Sequence, residues 1–211
     1  MSDFIKFGAF KGYGWILSAV IQDSVKIIGI SAFEDCTGLT LVVIPDSVTR
    51  IEAYAFLGCI GVISVVIPKS VIFIGDGAFR GCSALTSVVI PDSVINIPYI
   101  AFYWCTGLTS VVIPDSVTCI GPHAFDGCTG LTRVVIPDSV TRIDAYAFYG
   151  CTGLTSVVIS DSVTCIGPHA FDGCTGLKSV VISDDANIFS NTFENGVIIS
   201  RRSDDDVNSS V

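Results

Sequence analysis

The sequence lacks any long uninterrupted apolar segment, although half of its 211 residues are hydrophobic. A helix that crosses a membrane needs about 20 consecutive apolar residues, and here Asp, Lys, Ser, Thr or Gly returns every few positions. A membrane span is therefore not predicted. Residues 12–21 are apolar but have neither a basic leader nor a small-residue cleavage site, so they are not predicted to be a signal peptide. On this ground a cytoplasmic location is expected.

Basic residues are also scarce. Eleven Lys and Arg stand against 20 Asp and Glu, which gives a formal net charge of -9. The summed field of such a chain repels phosphate backbones and anionic lipid headgroups. Nucleic acids and membrane surfaces are therefore not expected to be partners.

Catalytic motifs are missing as well. The chain contains no glycine-rich phosphate loop and no nucleophile elbow of the G-x-S-x-G type. No enzymatic activity, no catalytic residue and no cofactor is predicted.

What the sequence has in abundance is self-similarity. Numbered from an Ile at position 1, each repeat has Ile at position 8, Ala at 12, Phe at 13, Cys at 16 and Val at 23. Such a fixed period is the signature of a solenoid, in which each turn buries its apolar face against its neighbours. Seven repeats of 23 residues, free of insertions and deletions, fill residues 21–181 and begin at Ile21, Ile44, Ile67, Ile90, Ile113, Ile136 and Ile159.

Three segments flank these repeats. Residues 1–20 are predicted to form a partial N-terminal repeat, since Phe10 occupies position 13 and Tyr13 replaces the Cys of position 16. Residues 182–200 keep some apolar spacing but lose the register, which predicts a degenerate C-terminal repeat or cap. Residues 201–211 are polar, and we expect them to be a disordered tail.

Each turn contains one predicted strand and two corners. Residues 131–136 follow an L-x-x-L-x-L pattern, in which positions 19, 22 and 1 point inward. Proline at position 2 and the following Asp-Ser form the corner after the strand, and Gly at positions 15 and 18 serves the second corner. The stretch between the corners is too short for a full helix. The predicted fold class is an α/β-type repeat solenoid, with a parallel β-sheet on one face and short helical or 3-10 turns on the other.

The repeat, as in I-P-D-S-V-T-x-I-G-x-x-A-F-x-G-C-T-G-L-T-S-V-V, resembles the BspA-like family of leucine-rich repeats. The resemblance covers residues 21–181 and the partial turn before them. It departs from the ordinary leucine-rich consensus after L-x-x-L-x-L, where Ser replaces Asn. The resemblance implies a curved solenoid used in protein interaction. It also implies a location on the surface of microbes, which is the alternative to the cytoplasmic location expected above.

Nine cysteines raise the question of disulfides. Parallel side chains one turn apart hold their Cβ atoms farther apart than the roughly 3.8 Å of a disulfide, and an odd number of cysteines cannot be fully paired. A buried column of free thiols is predicted. Its members are the position-16 residues Cys36, Cys59, Cys82, Cys105, Cys128, Cys151 and Cys174.

Two further patterns suggest metal ligands. Cys119 with His123, and Cys165 with His169, repeat a C-x-x-x-H spacing, but they belong to turns five and seven, about 10 Å apart, so they cannot share one ion. Two ligands make a poor zinc site, and no metal site is predicted. The position-3 acids are interpreted as turn formers, with calcium bridging as the alternative. This column is Asp23, Asp46, Asp92, Asp115, Asp138, Asp161 and Asp184, interrupted by Lys69.

The candidate binding surface is the outward face of the predicted sheet, at positions 20, 21 and 23. Its apolar stripe of valines favours an interaction site, whereas the structural alternative is that β-branched residues simply form good strands. Arg133 and Lys178 are expected to orient a partner. The candidate residues are Val66, Thr86, Val89, Thr109, Val112, Thr132, Arg133, Val135, Thr155, Val158 and Lys178.

These observations favour a non-enzymatic protein-protein interaction module with a protein as its partner, and they are compatible with its being part of a surface adhesin-like protein. Turns five and seven differ at only three positions, so any constellation in one turn is copied in another, whereas catalysis needs a singular site. The alternatives are a structural or ice-facing solenoid and a calcium-dependent scaffold. End-to-end self-association through the solenoid ends is also expected.

Overall fold

A computed structural model describes residues 3–202. Within them, 18 short strands alternate between two faces of a stack of turns, and every pairing between strands is parallel. The turns therefore form a solenoid, as predicted. The expected tail lies outside the described residues from position 203 onward, whereas residues 201 and 202 belong to the last strand.

The even-numbered strands form the predicted strand face. They occupy positions 21 to 23 of each turn and pair with their equals, for example Val65 with Val88. Continuous ladders join β2 to β10, β12 to β14, and β16 to β18. The strands are β2 (Ser18–Val20), β4 (Leu41–Val43), β6 (Ser64–Val66), β8 (Ser87–Val89), β10 (Ser110–Val112), β12 (Arg133–Ile136), β14 (Ser156–Ile159), β16 (Ser179–Ser183) and β18 (Ile198–Arg202).

The odd-numbered strands form a second, narrower ladder at positions 7 and 8, which the sequence analysis did not predict. They are β1 (Phe4–Ile5), β3 (Ile27–Ile28), β5 (Arg50–Ile51), β7 (Phe73–Ile74), β9 (Asn96–Ile97), β11 (Cys119–Ile120), β13 (Arg142–Ile143), β15 (Cys165–Ile166) and β17 (Asn187–Ile188). The ladder is interrupted between β7 and β9. Elsewhere the amide at position 9 bonds the preceding turn, as Gly121 N–H does to the Ile97 carbonyl at 2.9 Å. Pro98 occupies that position after β9 and has no N–H to donate.

The predicted helical or 3-10 turns are wrong. The described residues contain no helix, and hence none long and apolar enough to cross a membrane. The reason lies in the backbone at positions 11 and 15, which is left-handed: φ is 55° at Ser31, 57° at Asp35, 54° at His123 and 73° at Gly127. A right-handed helix requires negative φ at every residue, so two left-handed residues in each turn exclude it.

Hydrogen bonding explains how this segment is held without a helix. Amides at positions 11, 13 and 15 donate to the next turn, as Phe125 N–H does to the Ala147 carbonyl at 2.7 Å. The amides between them donate three residues back, as Ala124 N–H does to the Gly121 carbonyl at 3.2 Å. In a helix, all these amides would donate within the same segment. Here every second one donates to the next turn instead and so connects successive turns.

The interior consists of columns of like side chains. The Phe rings of position 13 stack from Phe10 to Phe193, with neighbouring centroids 5.0 to 5.5 Å apart. The Ile, Ala, Cys and Leu columns beside them are buried. Offset stacking of this kind adds to the free energy gained from burying the rings.

The segment after residue 181 forms an eighth, shortened turn. Phe193 stacks on Phe171, so the aromatic column continues through it. Ile166 pairs with Ile188, one residue short of the 23-residue period, and Val180 pairs with Ile199, four residues short. These deletions explain why the sequence pattern loses its register while the stack continues.

Candidate functional site

The strand face carries the candidate binding residues. In β8, Ser87 and Val89 are exposed and Val88 is buried, because side chains alternate across a strand. The same alternation holds in β6 and β12. All eleven candidate side chains are exposed, so the structure places them together on one surface.

The valines of position 23 form a continuous apolar stripe on this face. Neighbouring turns lie about 4.8 Å apart in a parallel ladder. The exposed fraction is 78% at Val66, 60% at Val89 and 43% at Val158. We call this column the valine stripe: Val43, Val66, Val89, Val112, Val135, Val158 and Val181.

Threonines beside the stripe use their hydroxyl groups internally. Thr86 Oγ1 donates to the Ile63 carbonyl at 3.2 Å, Thr109 Oγ1 to the Thr86 carbonyl at 3.0 Å, and Thr155 Oγ1 to the Thr132 carbonyl at 3.2 Å. These hydroxyl donors are therefore already paired with carbonyls of the preceding turn. The face is therefore more apolar than its Thr content suggests.

Two basic side chains interrupt the neutral face. Arg133 begins β12 and is exposed, and it pairs in register with Ser156. Lys178 Nζ donates to the Thr175 carbonyl at 2.9 Å, which turns the ammonium group toward the second corner of its own turn. Arg133 is thus the more available of the two for a partner.

Two grooves run beside the valine stripe, between it and the column of position-3 side chains. The first, of about 690 Å³, is lined by Val66, Val89, Asp46, Asp92 and Lys69 among others. We call it the turn-three groove.

The second groove has about 600 Å³ and contains no basic side chain among its lining residues. Val135, Val158, Asp115, Asp138 and Asp161 contribute to its walls. We call it the turn-six groove. The sequence analysis treated the valines and the aspartates separately, although positions 23 and 3 are adjacent across the Ile-Pro corner.

The Cys-His pairs have separate surroundings. Cys119 Sγ accepts from the Arg142 guanidinium at 3.3 Å and lies 3.5 Å from Asp144 Oδ2, whereas His123 Nδ1 lies 2.7 Å from Asp126 Oδ2. In residues 3–202 no three His, Cys, Asp or Glu side chains converge as a metal site would require.

The histidines instead belong to an aromatic stack that sequence reasoning missed. Tyr146 lies between His123 and His169, with centroids 4.7 Å from each. Asp172 Oδ2 lies 2.9 Å from the Nδ1 atom of His169. Burial raises the pKa of Asp126 while its bond to His123 opposes the change. The available signal was that all three rings occupy position 11 of consecutive turns.

The predicted thiol column is present. All seven position-16 cysteines are free and buried, and each donates to the carbonyl of the Phe column one turn earlier, as Cys59 Sγ does to Phe33 O at 3.0 Å. Burial raises the pKa of Cys82 and of Cys105 well above the usual range of a thiol. The column is structural, since a neutral buried thiol is a poor nucleophile.

Comparisons with solved structures agree with this architecture. The T. pallidum leucine-rich repeat protein is 27% identical, with a TM-score of 0.58, covering 82% of this chain and 71% of its own. A leucine-rich repeat protein from Eubacterium ventriosum is 25% identical, with a TM-score of 0.69, covering 86% of this chain. The present chain spans only 47% of that protein. Pneumococcal vaccine antigen PcpA, 18% identical with a TM-score of 0.57, shares the fold over 96% of this chain and 66% of its own.

No curated protein matches the chain in sequence. A family model described as "BspA type Leucine rich repeat region (6 copies)" matches residues 3–106 and 95–208. These two matches cover nearly the whole chain and include every complete repeat. The chain belongs to the BspA-type leucine-rich repeat family.

Proposed function

We propose that this chain is a non-enzymatic protein-interaction module that binds a protein partner through its strand face. The observation that carries the proposal is the valine stripe, which stays exposed over seven consecutive turns. Contiguous apolar surface of this extent on a folded protein typically marks an interaction site. A role in a surface adhesin-like protein is part of the proposal, and membership of the BspA-type leucine-rich repeat family supports it.

The threonine contacts favour an apolar partner surface over an ordered lattice of water. The hydroxyls of Thr86, Thr109 and Thr155 donate to backbone carbonyls of the preceding turn, so their methyl groups extend the apolar area. Central, fully desolvated contacts carry most of the binding energy in protein interfaces. Val89, Val112 and Val135 occupy the middle of the stripe and are the expected energetic centre.

A capture experiment tests this proposal. The parent chain and the variant Val89→Lys, Val112→Lys, Val135→Lys are immobilised and exposed to extracts of source and host cells. The variant should lose the captured partner, because each lysine buries a charge in an apolar contact. The purified partner is then titrated against both chains.

The matched control carries the same charge change on other surfaces. Ile60, Ile72 and Ile95 are exposed and lie off the strand face, so Ile60→Lys, Ile72→Lys, Ile95→Lys should keep the partner. Equal loss in both variants, or retention in both, contradicts the proposal. Circular dichroism establishes that each variant is folded.

End-to-end self-association stays a separate prediction, which sedimentation velocity over a range of concentrations checks.

A further inference from the structure

The turn-six groove combines two properties that neither the valine stripe nor the aspartate column has alone. One wall is apolar, from Val135 and Val158, and the other is acidic, from Asp115, Asp138 and Asp161. Charged residues are normally depleted from the centre of an interface and placed at its rim. The groove therefore has the arrangement of an apolar contact strip with an acidic rim.

Two acids of this rim, Asp115 and Asp138, are available to an incoming cation. Within the part of the chain that the structure describes, neither Asp115 nor Asp138 takes part in an ion pair. Asp138 Oδ1 accepts a hydrogen bond from Ser160 Oγ at 2.6 Å, which holds the carboxylate in place and leaves Oδ2 for another donor. A neutral hydroxyl donor does not compensate the negative charge.

We propose that the turn-six groove binds an extended, cationic segment of the partner protein in which apolar and basic side chains alternate. This inference rests on the proposed function, and it adds the chemistry of the partner. The apolar side chains of the segment contact the valine stripe, and its Lys or Arg side chains contact the aspartates. A chain with a net charge of -9 also attracts such a segment at long range.

Spacing favours an extended segment that runs along the solenoid axis. Carboxylates of neighbouring turns repeat about every 4.8 Å, and same-side residues of a strand repeat about every 6.8 Å. Because the two repeats differ, successive basic side chains lie at varying offsets from the two nearest carboxylates. The long flexible stem of Lys or Arg lets its charged end reach either one. Acidic segments and nucleic acids are repelled by the same rim.

The turn-three groove provides a comparison within the same molecule. It has the same apolar wall, from Val66 and Val89, but Lys69 stands between Asp46 and Asp92. Its rim therefore presents a mixed charge pattern. The variant Lys69→Asp makes this rim continuous and should strengthen binding of a cationic segment, whereas the parent turn-three groove should bind it weakly.

The experiment uses fluorescein-labelled synthetic decapeptides and measures anisotropy during titration with the full chain. One peptide alternates Val and Lys, a second alternates Val and Glu, and a third alternates Ser and Lys. We expect the Val/Lys peptide to bind most tightly. The double variant Asp115→Asn, Asp138→Asn should weaken that binding about fivefold to tenfold, as expected for the loss of two exposed ion pairs. Both substitutions are at exposed positions, and circular dichroism checks the fold.

Three outcomes overturn the inference. Equal binding of the Val/Lys and Val/Glu peptides shows that charge plays no part, and equal binding of the Ser/Lys peptide shows that the apolar wall plays none. Failure of all three peptides to bind shows that the groove does not accept an extended segment. The capture experiment with the valine-to-lysine variant is independent of these outcomes, so the proposed function is judged separately.

Discussion

Residues of the same type occupy the same environment from turn to turn, and the cysteines illustrate what this does to chemistry. The seven position-16 thiols are buried and each donates to one Phe carbonyl, whereas Cys119 and Cys165 are half-buried. Burial raises the pKa of Cys119 as well, and the adjacent Arg142 guanidinium offsets only part of this increase. Reactivity requires both a thiolate and access for the reagent.

We therefore predict two classes of thiol in titration with Ellman's reagent at pH 8. No more than two thiols per chain should react while the protein is native, and all nine should react in guanidinium chloride. The variant Cys119→Ser, Cys165→Ser should show no rapid reaction. Rapid modification of three or more thiols in the native protein would contradict the buried column.

Glycine at position 15 has a conformational role that a substitution can isolate. Gly150 has a φ of 64°, and a Cβ atom built on it meets no other atom within 4 Å. The variant Gly150→Ala should therefore lose about 1 kcal/mol of unfolding free energy, from the left-handed backbone alone. Urea denaturation monitored by circular dichroism measures the difference.

The control at this position is Gly150→Asn. Asn tolerates the left-handed region better than Ala does, so its loss should be smaller. An Ala variant as stable as the parent chain, or an Asn variant less stable than the Ala variant, would be inconsistent with a purely conformational cost. Sequence reasoning placed glycine at the second corner correctly. It did not identify the left-handed residues of position 11, because Ser, Tyr, Ile and His occur at that position.

Individual elements in this protein are too short to be stable alone. The odd-numbered strands have two residues each, and their hydrogen bonds all go to neighbouring turns. Sequence analysis found the even-numbered strands because positions 19, 22 and 1 follow the L-x-x-L-x-L pattern. It missed the odd-numbered ones because position 7 varies among Ile, Arg, Phe, Asn and Cys. It predicted helical turns because left-handed backbone leaves no periodic signal.

The interrupted ladder between β7 and β9 yields a test at this scale. Replacing Pro98 by Glu, the residue that Glu52 provides in turn two, restores an amide at position 9. That amide should donate to the Ile74 carbonyl, as the Glu52 amide donates to Ile28 at 2.9 Å. We expect its hydrogen exchange, followed by NMR, to be as slow as that of Glu52.

Pro98→Ala serves as the control, since it restores the amide without a charge. Its amide should be protected to a similar degree. Fast exchange at residue 98 in both variants would mean that the turns are separated there for a reason other than the missing donor.

At the scale of the whole molecule, each turn is stabilised by its two neighbours. Phe, Cys and Ile columns run without a gap through the complete repeats, and amides at positions 11, 13 and 15 bond from turn to turn. This repetition made the solenoid, the buried columns and the exposed valines predictable from sequence. The grooves were missed because the valines of position 23 and the aspartates of position 3 were considered separately, and the aromatic stack was missed although its three rings share position 11.

The central claim is that the valine stripe is the binding surface, and site-directed photo-crosslinking tests it most directly. A photoreactive benzoyl-phenylalanine is placed at Val112, in the middle of the stripe, or at Ile95, which is exposed elsewhere on the same turn. Each chain is irradiated with the purified partner, and the adducts are identified by mass spectrometry. Our account predicts an adduct from position 112 and none from position 95. An adduct from position 95 alone would contradict it and would place the partner on another face.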